Sequence, residues 1–170
     1  MIMKQMYTKN LKLVLKVVLA GMIGTAGCTA DKEISDDMET FNLTQEWDKT
    51  FPKSDKVSHR KVTFTNRYGI RLVADLYEPI EGKEKLAAIA VCGPFGAVKE
   101  QASGRYAQTM AERGFLTLAF DPSFTGESYG EPRHVASPDI NTEDFSAAVD
   151  FLTTLPRVDE ERIGIIGICG

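Results

Sequence analysis

A cysteine with glycines close on either side follows the last apolar run of the 170-residue chain. The run is Ile163-Gly164-Ile165-Ile166-Gly167, and Cys169 stands two residues after Gly167 and directly before Gly170. A cysteine thiolate is a strong nucleophile, so a thiol at the end of a strand is a candidate for covalent catalysis. A buried structural thiol is the first alternative. A dinucleotide-binding loop is a weaker one, because the glycines at 164, 167 and 170 are spaced three and three, unlike G-x-G-x-x-G.

Five segments with strand patterns predict the sheet that would position this cysteine. Lys61–Thr65 and Ile70–Tyr77 alternate polar and apolar residues on either side of a turn at 66–69, which predicts an antiparallel hairpin. Three continuous apolar runs, at 86–91, 115–120 and 163–167, predict strands that are buried on both faces. Strands of this second kind are typical of a parallel sheet.

Two helices are predicted between these apolar runs. Small and apolar residues at helical spacing predict the first over Glu100–Arg113, which Gly114 would end. A loop rich in glycine and proline follows from Asp121 to Asp139, and Asn141 or Thr142 is expected to cap the second helix. Strands that alternate with helices after an antiparallel start indicate an α/β domain with a mostly parallel sheet.

Composition and charge exclude several classes of protein. Apolar residues make up 43% of the chain and charged residues 26%, which excludes collagen, low-complexity arrays and wholesale disorder. The 20 basic and 24 acidic side chains give a net charge of −4 with no basic block, so no nucleic-acid partner is expected. The length allows one domain and is short for an enzyme built on a large sheet.

The N-terminal residues have the pattern of an export signal. Lysines at 4, 9, 12 and 16 precede an uncharged stretch, Val17–Ala26, which is shorter than the roughly 20 residues that a hydrocarbon core requires. Thr25-Ala26-Gly27-Cys28 resembles the lipobox of bacterial lipoproteins, with threonine where that pattern usually has leucine. The resemblance implies a signal peptide over residues 1–27, lipidation of Cys28 and an exported, membrane-anchored lipoprotein in the periplasm or at the cell surface. The alternatives are an ordinary signal peptide cut after Ala26 or Ala30, or an uncleaved anchor, with Cys28 free or disulfide-bonded.

A polar, aperiodic segment separates this signal from the domain. Residues 28–56 carry an acidic run and too little apolar surface to order themselves, so they are predicted to form a tether. Phe41, Trp47 and Phe51, near its end, are expected to pack on the domain. The domain itself is assigned residues 57–170.

Four short motifs stand at the ends of the predicted strands. Together and in this order they resemble the N-terminal half of an α/β-hydrolase, nearest to the dienelactone-hydrolase-like and Xaa-Pro-dipeptidyl-peptidase-like enzymes, over about residues 58–170. The expected fold is therefore the N-terminal half of an α/β-hydrolase sheet, a hairpin and then parallel strands with flanking helices, truncated at the nucleophile elbow. The motifs are Gly93-Pro94-Phe95-Gly96 with Lys99-Glu100-Gln101; Asp121 with Gly126-Glu127-Ser128 and Gly130; Val158-Asp159 with Arg162; and Gly167-Ile168-Cys169-Gly170.

The resemblance assigns catalytic roles to three residues. Cys169 becomes the nucleophile of a sharp strand-to-helix turn, and the N-terminus of the next helix should lower the pKa of its thiol. The N–H groups of Gly170 and of Phe95, after the third strand, would stabilise the oxyanion, since Pro94 has no N–H. Gly96 is the next candidate donor. A glycine-rich turn with a purely steric purpose is the alternative for this loop.

The resemblance implies cleavage of ester, thioester, lactone or amide bonds in a small-molecule or peptide substrate through an acyl-Cys169 intermediate. It implies no metal and no organic cofactor. In this family the acid and the histidine of the triad follow the nucleophile, so both are expected beyond Gly170, and neither His59 nor His134 occupies the catalytic position. The chain is therefore expected to be a fragment or a truncated product and inactive by itself. A non-catalytic exported lipoprotein or binding module, and a vestigial product that folds poorly, remain as alternatives.

The other polar residues of the motifs are assigned structural roles by the resemblance. Asp121 and Ser128 would brace the loop after the fourth strand. Lys99 and Glu100 would cap or flank a helix, and a substrate contact is the less favoured alternative.

Two cysteines are expected to lie close together. The third and fifth strands are neighbours in this fold, and Cys92 and Cys169 both stand at the carboxyl edge. An exported protein meets an oxidising compartment, so a disulfide would be allowed if the two Cα atoms came within about 7 Å. Two separate thiols are the favoured alternative.

Overall fold

The computed structural model describes residues 43–169, so the predicted signal peptide, Cys28, Phe41 and Gly170 lie outside the described residues. The described part contains five strands: β1 (Val57–Thr65), β2 (Arg71–Pro79), β3 (Leu86–Cys92), β4 (Leu116–Phe120) and β5 (Val158–Gly167). Within it, helix α1 (Ala102–Ala111) connects β3 to β4 and helix α2 (Pro138–Thr153) connects β4 to β5. Neither of these helices is long and apolar enough to cross a membrane.

The five strands form one mixed sheet in the order β1-β2-β4-β3-β5. The pairs β1–β2 and β2–β4 are antiparallel, whereas β4, β3 and β5 run parallel to one another. The turn between β1 and β2 is held by Asn66, whose side-chain oxygen accepts the N–H groups of Tyr68 at 3.0 Å and Ile70 at 2.9 Å. The prediction of a hairpin followed by parallel strands is confirmed. The parallel arrangement brings the carboxyl ends of β3, β4 and β5 to one edge of the sheet, which we call the carboxyl edge.

Each face of the sheet packs against one helix. Successive side chains of a strand point to opposite faces, so β2 contributes to two separate cores. Leu76 belongs to the core that contains Leu152 of α2, and Tyr77 belongs to the core that contains Ala107 of α1. The loops that lead from β3 to α1 and from β4 to α2 lie at the carboxyl edge, because each follows the end of one of two parallel strands.

The residues just ahead of β1 pack on the α1 face, and we call residues 44–51 the N-terminal strap. Phe51 is buried in the core beside α1, with Trp47 packed against it. The indole N–H of Trp47 donates to the carbonyl of Phe51 at 2.7 Å, and the N–H of Thr50 donates to the carbonyl of Glu100 at 3.0 Å. The expectation that Trp47 and Phe51 pack on the domain is confirmed, so the end of the predicted tether contacts the sheet.

The helix boundaries differ in one place from those that the sequence predicts. Helix α1 lies within the predicted span, and Gly114 follows it with φ of +95°. Helix α2 does not start after a cap at Asn141 or Thr142, because it begins at Pro138 with Ser137 as its N-cap. Proline suits the first helical turn, where its φ is already helical and its missing N–H would have no partner. The N–H of Asn141 already donates to the carbonyl of Ser137 at 2.8 Å.

Strand β5 is more exposed than its apolar sequence predicts. The expectation of burial on both faces is wrong for this strand, since Ile165 is 59% exposed and most other positions are half-buried or exposed. Among the described residues β5 pairs with β3 and with no other strand, so its second edge is open. An apolar strand with an open edge is prone to pair with other chains.

Candidate active site

The chain turns sharply at Cys169, directly after β5. Cys169 has φ of +58°, in the left-handed region that residues other than glycine rarely adopt. The residue before it is still held by the sheet, because the N–H of Ile168 donates to the carbonyl of Cys92 at 3.1 Å. Cys169 itself is exposed. The turn therefore displays a cysteine beyond the end of a strand, which is the geometry that a nucleophile at a strand-to-helix turn needs.

A loop beside this turn offers a backbone N–H group that has no hydrogen-bond partner within residues 43–169. The β3–α1 loop (residues 93–101) begins at the end of β3, whose last residue pairs with the last residue of β5. Its first turn is closed by the N–H of Ala97, which donates to the carbonyl of Pro94 at 3.0 Å. Phe95 is 67% exposed, and within the described residues its N–H donates to no acceptor. The Phe95 N–H is thus available to an oxygen of a ligand.

A cleft of about 420 Å³ lies between this loop, the β4–α2 loop (residues 121–137) and the first turns of α2. It reaches Ile168, the residue directly before Cys169. Within residues 43–169 the side chains that line it are uncharged, so this part of the chain offers apolar surroundings and a few uncharged hydrogen-bonding groups. The apolar lining includes Phe95, Pro122, Val135 and Phe145, and the polar lining includes Thr125, Asn141 and Thr142.

The second cysteine of the described residues differs sharply from Cys169 in its surroundings. Cys92 ends β3 and is 7% exposed. Burial, together with the negative charge of Asp121, raises the pKa of its thiol to about 12. The two strands that carry the cysteines are neighbours, as predicted, and both thiols are free in the structure.

We expect iodoacetamide to alkylate Cys169 and to leave Cys92 unmodified at about pH 8 in the native protein. Only the thiolate reacts, and a buried thiol with a pKa of about 12 is almost entirely protonated there. Peptide mapping by mass spectrometry after graded exposure measures both sites. A urea-unfolded sample is the control that shows that the Cys92 peptide can be alkylated and detected. Equal alkylation of both cysteines in the native protein would contradict the prediction.

A buried ion pair ties the end of the β3–α1 loop to the end of β4. The side chains of Lys99 and Asp121 have 0% exposure. Asp121 accepts the main-chain N–H of Lys99 at 2.7 Å through Oδ1 and its ammonium group at 2.8 Å through Oδ2. Burial by itself would lower the pKa of Lys99, but the charge of Asp121 and hydrogen bonds to three carboxylates hold that pKa above its ordinary value. Lys99 is therefore charged and fastens the loop through both its main chain and its side chain.

Further ion pairs connect Lys99 to the N-terminal strap. Oε2 of Glu127 accepts from Nζ of Lys99 at 2.6 Å and from Nζ of Lys61 at 2.8 Å, and Lys61 also donates to Oδ2 of Asp48 at 2.7 Å. Although burial opposes it, hydrogen bonds from Lys49 and Lys61 lower the pKa of Asp48 to about 2. The ionised carboxylate thus stabilises the fold above about pH 4, and this contribution is lost as the pH falls toward 2. We call this set the buried ion network: Asp48, Lys61, Lys99, Glu100, Asp121 and Glu127.

The strand-end motifs did not predict this network. Lys99 does precede α1, as expected of a residue that flanks a helix, but its side chain is buried among carboxylates. The signal that could have found it is a lysine after β3 together with Asp121 and Glu127 after β4. Because β3 and β4 are adjacent and parallel, residues that follow them meet at one edge.

Two further sets of contacts brace the β4–α2 loop, which forms one wall of the cleft. The hydroxyl of Ser128 donates to the carbonyl of Asp121 at 2.7 Å and accepts the N–H of Val73 at 2.9 Å. Asp144 of α2 accepts the N–H of Ser123 at 2.7 Å and its hydroxyl at 2.8 Å. This wall is therefore fixed to β2 on one side and to α2 on the other, which agrees with a bracing role for Asp121 and Ser128.

Neither of the two histidines lies at the cleft. His59 is in β1, at the opposite edge of the described sheet from β5. Its Nε2 lies 2.8 Å from Oδ1 of Asp75, and its ring packs against Trp47 and Tyr77. His134 is an exposed residue of the β4–α2 loop and does not line the cleft. Residues 43–169 therefore bring no histidine to the cleft beside Cys169.

The mixed sheet with a helix on each face is the fold of an α/β hydrolase, and solved hydrolases of this class match it over about two thirds of the chain. The chain belongs to the X-Pro dipeptidyl-peptidase (S15) family, whose model matches residues 68–169. This confirms, at the level of the family and the fold, the resemblance that the strand-end motifs predicted.

Relatives from bacteria and fungi share this part of the fold. The chain is 65% identical over 161 residues to uncharacterized protein PA2218 of Pseudomonas aeruginosa, covering 90% of this chain and 43% of the relative. The crystal structure of PA2218 matches with a TM-score of 0.73 and 76% identity over 75% of this chain and 40% of that one. Thiohydrolase aneE of Aspergillus aculeatus is 33% identical over 115 residues, or 68% of this chain and 35% of the relative. The α/β hydrolase GrgF of Penicillium sp. sh18 matches with a TM-score of 0.59 and 26% identity over 65% of this chain and 37% of that one. The chain spans less than half the length of each of these relatives.

Proposed function

We propose that this chain is the N-terminal part of a hydrolase that cleaves ester, thioester, lactone or amide bonds with Cys169 as its nucleophile. The observation that carries the proposal is the φ of +58° at an exposed cysteine directly after β5. Residues other than glycine adopt this conformation uncommonly, and backbone strain of this kind is frequent at catalytic turns. The family and the hydrolase fold support the same reaction class.

In the proposed reaction the thiolate of Cys169 attacks the carbonyl carbon of an acyl substrate. The carbonyl oxygen becomes an oxyanion, which the N–H groups of Phe95 and Gly170 would stabilise. Collapse of this intermediate breaks the bond to the leaving group, which takes a proton from the expected triad histidine and departs as an alcohol, thiol or amine. An acyl thioester remains on Cys169, and water hydrolyses it to a carboxylic acid and the free thiol. The cleft that reaches Ile168 would receive the acyl group.

The relatives support two kinds of scissile bond. The name of the fungal thiohydrolase supports a thioester, and the description of the S15 family supports a peptide bond after proline. In either case the uncharged side chains that the described residues contribute to the cleft favour an uncharged acyl group. Burial of an unpaired charge there would be costly.

The acid and the histidine of the triad would come from a part of the fold outside residues 43–169. The chain spans 35% to 43% of the length of the curated relatives named above, and His59 and His134 are both away from the cleft. A thiolate can attack an activated ester once without a base, but deacylation needs an activated water. We therefore expect one acylation per chain and no turnover from these residues alone.

Peptide mapping after incubation with p-nitrophenyl acetate tests the proposed function. The expected result is one acetyl group on Cys169 and the release of a single equivalent of p-nitrophenol. No acetyl group on Cys169 would favour the alternative, a non-catalytic exported lipoprotein or binding module with a hydrolase-like fold. Repeated turnover that depends on Cys169 would show that these residues already supply a base.

We also propose that the protein is exported and anchored to the membrane through a lipid on Cys28, in the periplasm or at the cell surface. The support is the lysine-rich start, the uncharged stretch that follows it and the lipobox-like residues before Cys28, all outside the described residues. The intact mass of protein purified from membranes should show a diacylglyceryl group on Cys28. Replacing Cys28 with alanine should move the protein out of the membrane fraction. An unmodified chain that starts at Gly27 would contradict lipidation but would still agree with export.

A further inference from the structure

The β3–α1 loop carries the proposed oxyanion donor Phe95, and its position depends on charges outside the cleft. The loop is fastened at its far end by Lys99, whose N–H and ammonium group both bind the carboxylate of Asp121. Phe95 lies inside a short turn, closed by the Ala97 N–H and the Pro94 carbonyl, and Lys99 follows this turn two residues after Ala97. A displacement of Lys99 would therefore move the Phe95 N–H, and oxyanion stabilisation requires donors in fixed positions.

Lys99 shares its counterions with a second buried lysine. Oε2 of Glu127 lies 2.6 Å from Nζ of Lys99 and 2.8 Å from Nζ of Lys61. Oε1 of Glu100 lies 2.7 Å from Lys99 and 3.5 Å from Lys61. Both lysine side chains have 0% exposure, so the charge of each depends mainly on its carboxylate partners. The two ammonium groups thus compete for the same two glutamates.

Asp48 of the N-terminal strap supplies Lys61 with a carboxylate of its own. Its Oδ2 accepts from Nζ of Lys61 at 2.7 Å, and its Oδ1 binds Lys49, which also lies 3.0 Å from Asp75. If Asp48 were neutral, Lys61 would depend on Glu127 and Glu100 and would draw them away from Lys99. The carboxylate of Asp48 therefore leaves Lys99 free to hold Asp121 and the loop.

We propose that Asp48 is a positioning residue for acyl transfer to Cys169, acting through Lys61, Glu127 and Lys99 on the β3–α1 loop. The kinetic part of this inference rests on the proposed function of Cys169, whereas the coupling of the strap to the loop does not. The Asp48 side chain is 31% exposed and belongs to neither hydrophobic core. Its charge can thus be removed with an isosteric amide without opening a cavity.

The test compares Asp48→Asn with the wild-type protein, with Asp48→Glu and with the matched control Asp159→Asn. Asp159 also forms an ion pair, with Arg162 at 2.6 Å, but lies outside the buried ion network. Two rates are measured: the burst of p-nitrophenol from p-nitrophenyl acetate and the alkylation of Cys169 by iodoacetamide. Attack on the ester forms an oxyanion and alkylation forms none, so the loop should matter for the first reaction alone.

Asp48→Asn should slow the burst about tenfold and leave the alkylation rate unchanged, because the thiol is intact while the oxyanion donor is displaced. Asp48→Glu should restore most of the burst rate, since it returns a carboxylate to Lys61. Asp159→Asn should change neither rate. An unchanged burst in Asp48→Asn, or a parallel fall in burst and alkylation, would overturn the proposal.

Hydrogen exchange separates this inference from the proposed function. Amides of residues 93–101 should exchange faster in Asp48→Asn than in the wild type, and no faster in Asp159→Asn. If the wild-type protein gives no burst that depends on Cys169, the proposed function fails and the exchange rates still decide the coupling. Equal protection of the loop amides from exchange in Asp48→Asn and Asp159→Asn would then overturn the coupling of the strap to the loop.

Discussion

Replacing Cys169 with alanine is expected to lower the burst rate with p-nitrophenyl acetate by at least about a hundredfold, because it removes the thiol that would form the acyl intermediate. Cys169 lies beyond the end of β5 and is exposed, next to a cleft whose lining within the described residues is uncharged. Stopped-flow absorbance gives the rate of p-nitrophenol release, and the intact mass gives the number of acyl groups per chain.

Cys92→Ala is the matched control for this measurement. It also removes one thiol, but that thiol is buried and has a pKa of about 12, so its loss should leave the burst rate close to that of the wild type. A burst of wild-type size in Cys169→Ala would contradict the assignment of Cys169 as the nucleophile. A burst that is lost in Cys92→Ala and retained in Cys169→Ala would transfer the role to the buried cysteine.

Replacing Lys99 with methionine is expected to lower the free energy of unfolding by about 3–5 kcal/mol, the usual cost of breaking a buried ion pair from one side. Methionine keeps most of the side-chain volume, so the loss reports the charge. Asp121, with 0% side-chain exposure, would then keep two main-chain N–H partners but lose its ammonium group. A change of this size is a large part of the roughly 5–15 kcal/mol by which domains are stable. Urea unfolding followed by circular dichroism measures it.

Lys53→Met is the control for the loss of a lysine, because Lys53 is exposed and lies outside the buried ion network. It should change the free energy of unfolding by less than about 0.5 kcal/mol. The double variant Lys99→Met/Asp121→Asn should be more stable than Lys99→Met alone, because the asparagine leaves no unpaired charge. Equal destabilisation by Lys53→Met and Lys99→Met would show that Lys99 contributes no more than a surface lysine.

Much of the fold could be predicted from the sequence because its signals are local. The alternation in Lys61–Thr65 and Ile70–Tyr77 shows which side chains share a face, and the turn at 66–69 requires the two strands to be antiparallel. The apolar runs that became β3 and β4 are buried in the middle of the sheet, as such runs usually are. The start of α2 at Pro138 was missed because a proline fits a loop and the first turn of a helix equally well.

The residue types at the strand ends can be read directly from the chain, including Cys169 after the last apolar run and Gly93-Pro94-Phe95-Gly96 after the third strand. The surroundings of these residues depend on the assembled fold. The burial that raises the pKa of Cys92 to about 12, and the carboxylates that hold Lys99, come from segments far apart in the chain. The position of β5 at one side of the described sheet is likewise decided by strand pairing. An apolar run can have the same sequence in an outer strand as in a central one. Spacing along the chain encodes local geometry, whereas burial and charge pairing depend on contacts between distant segments, which form only when the sheet is assembled.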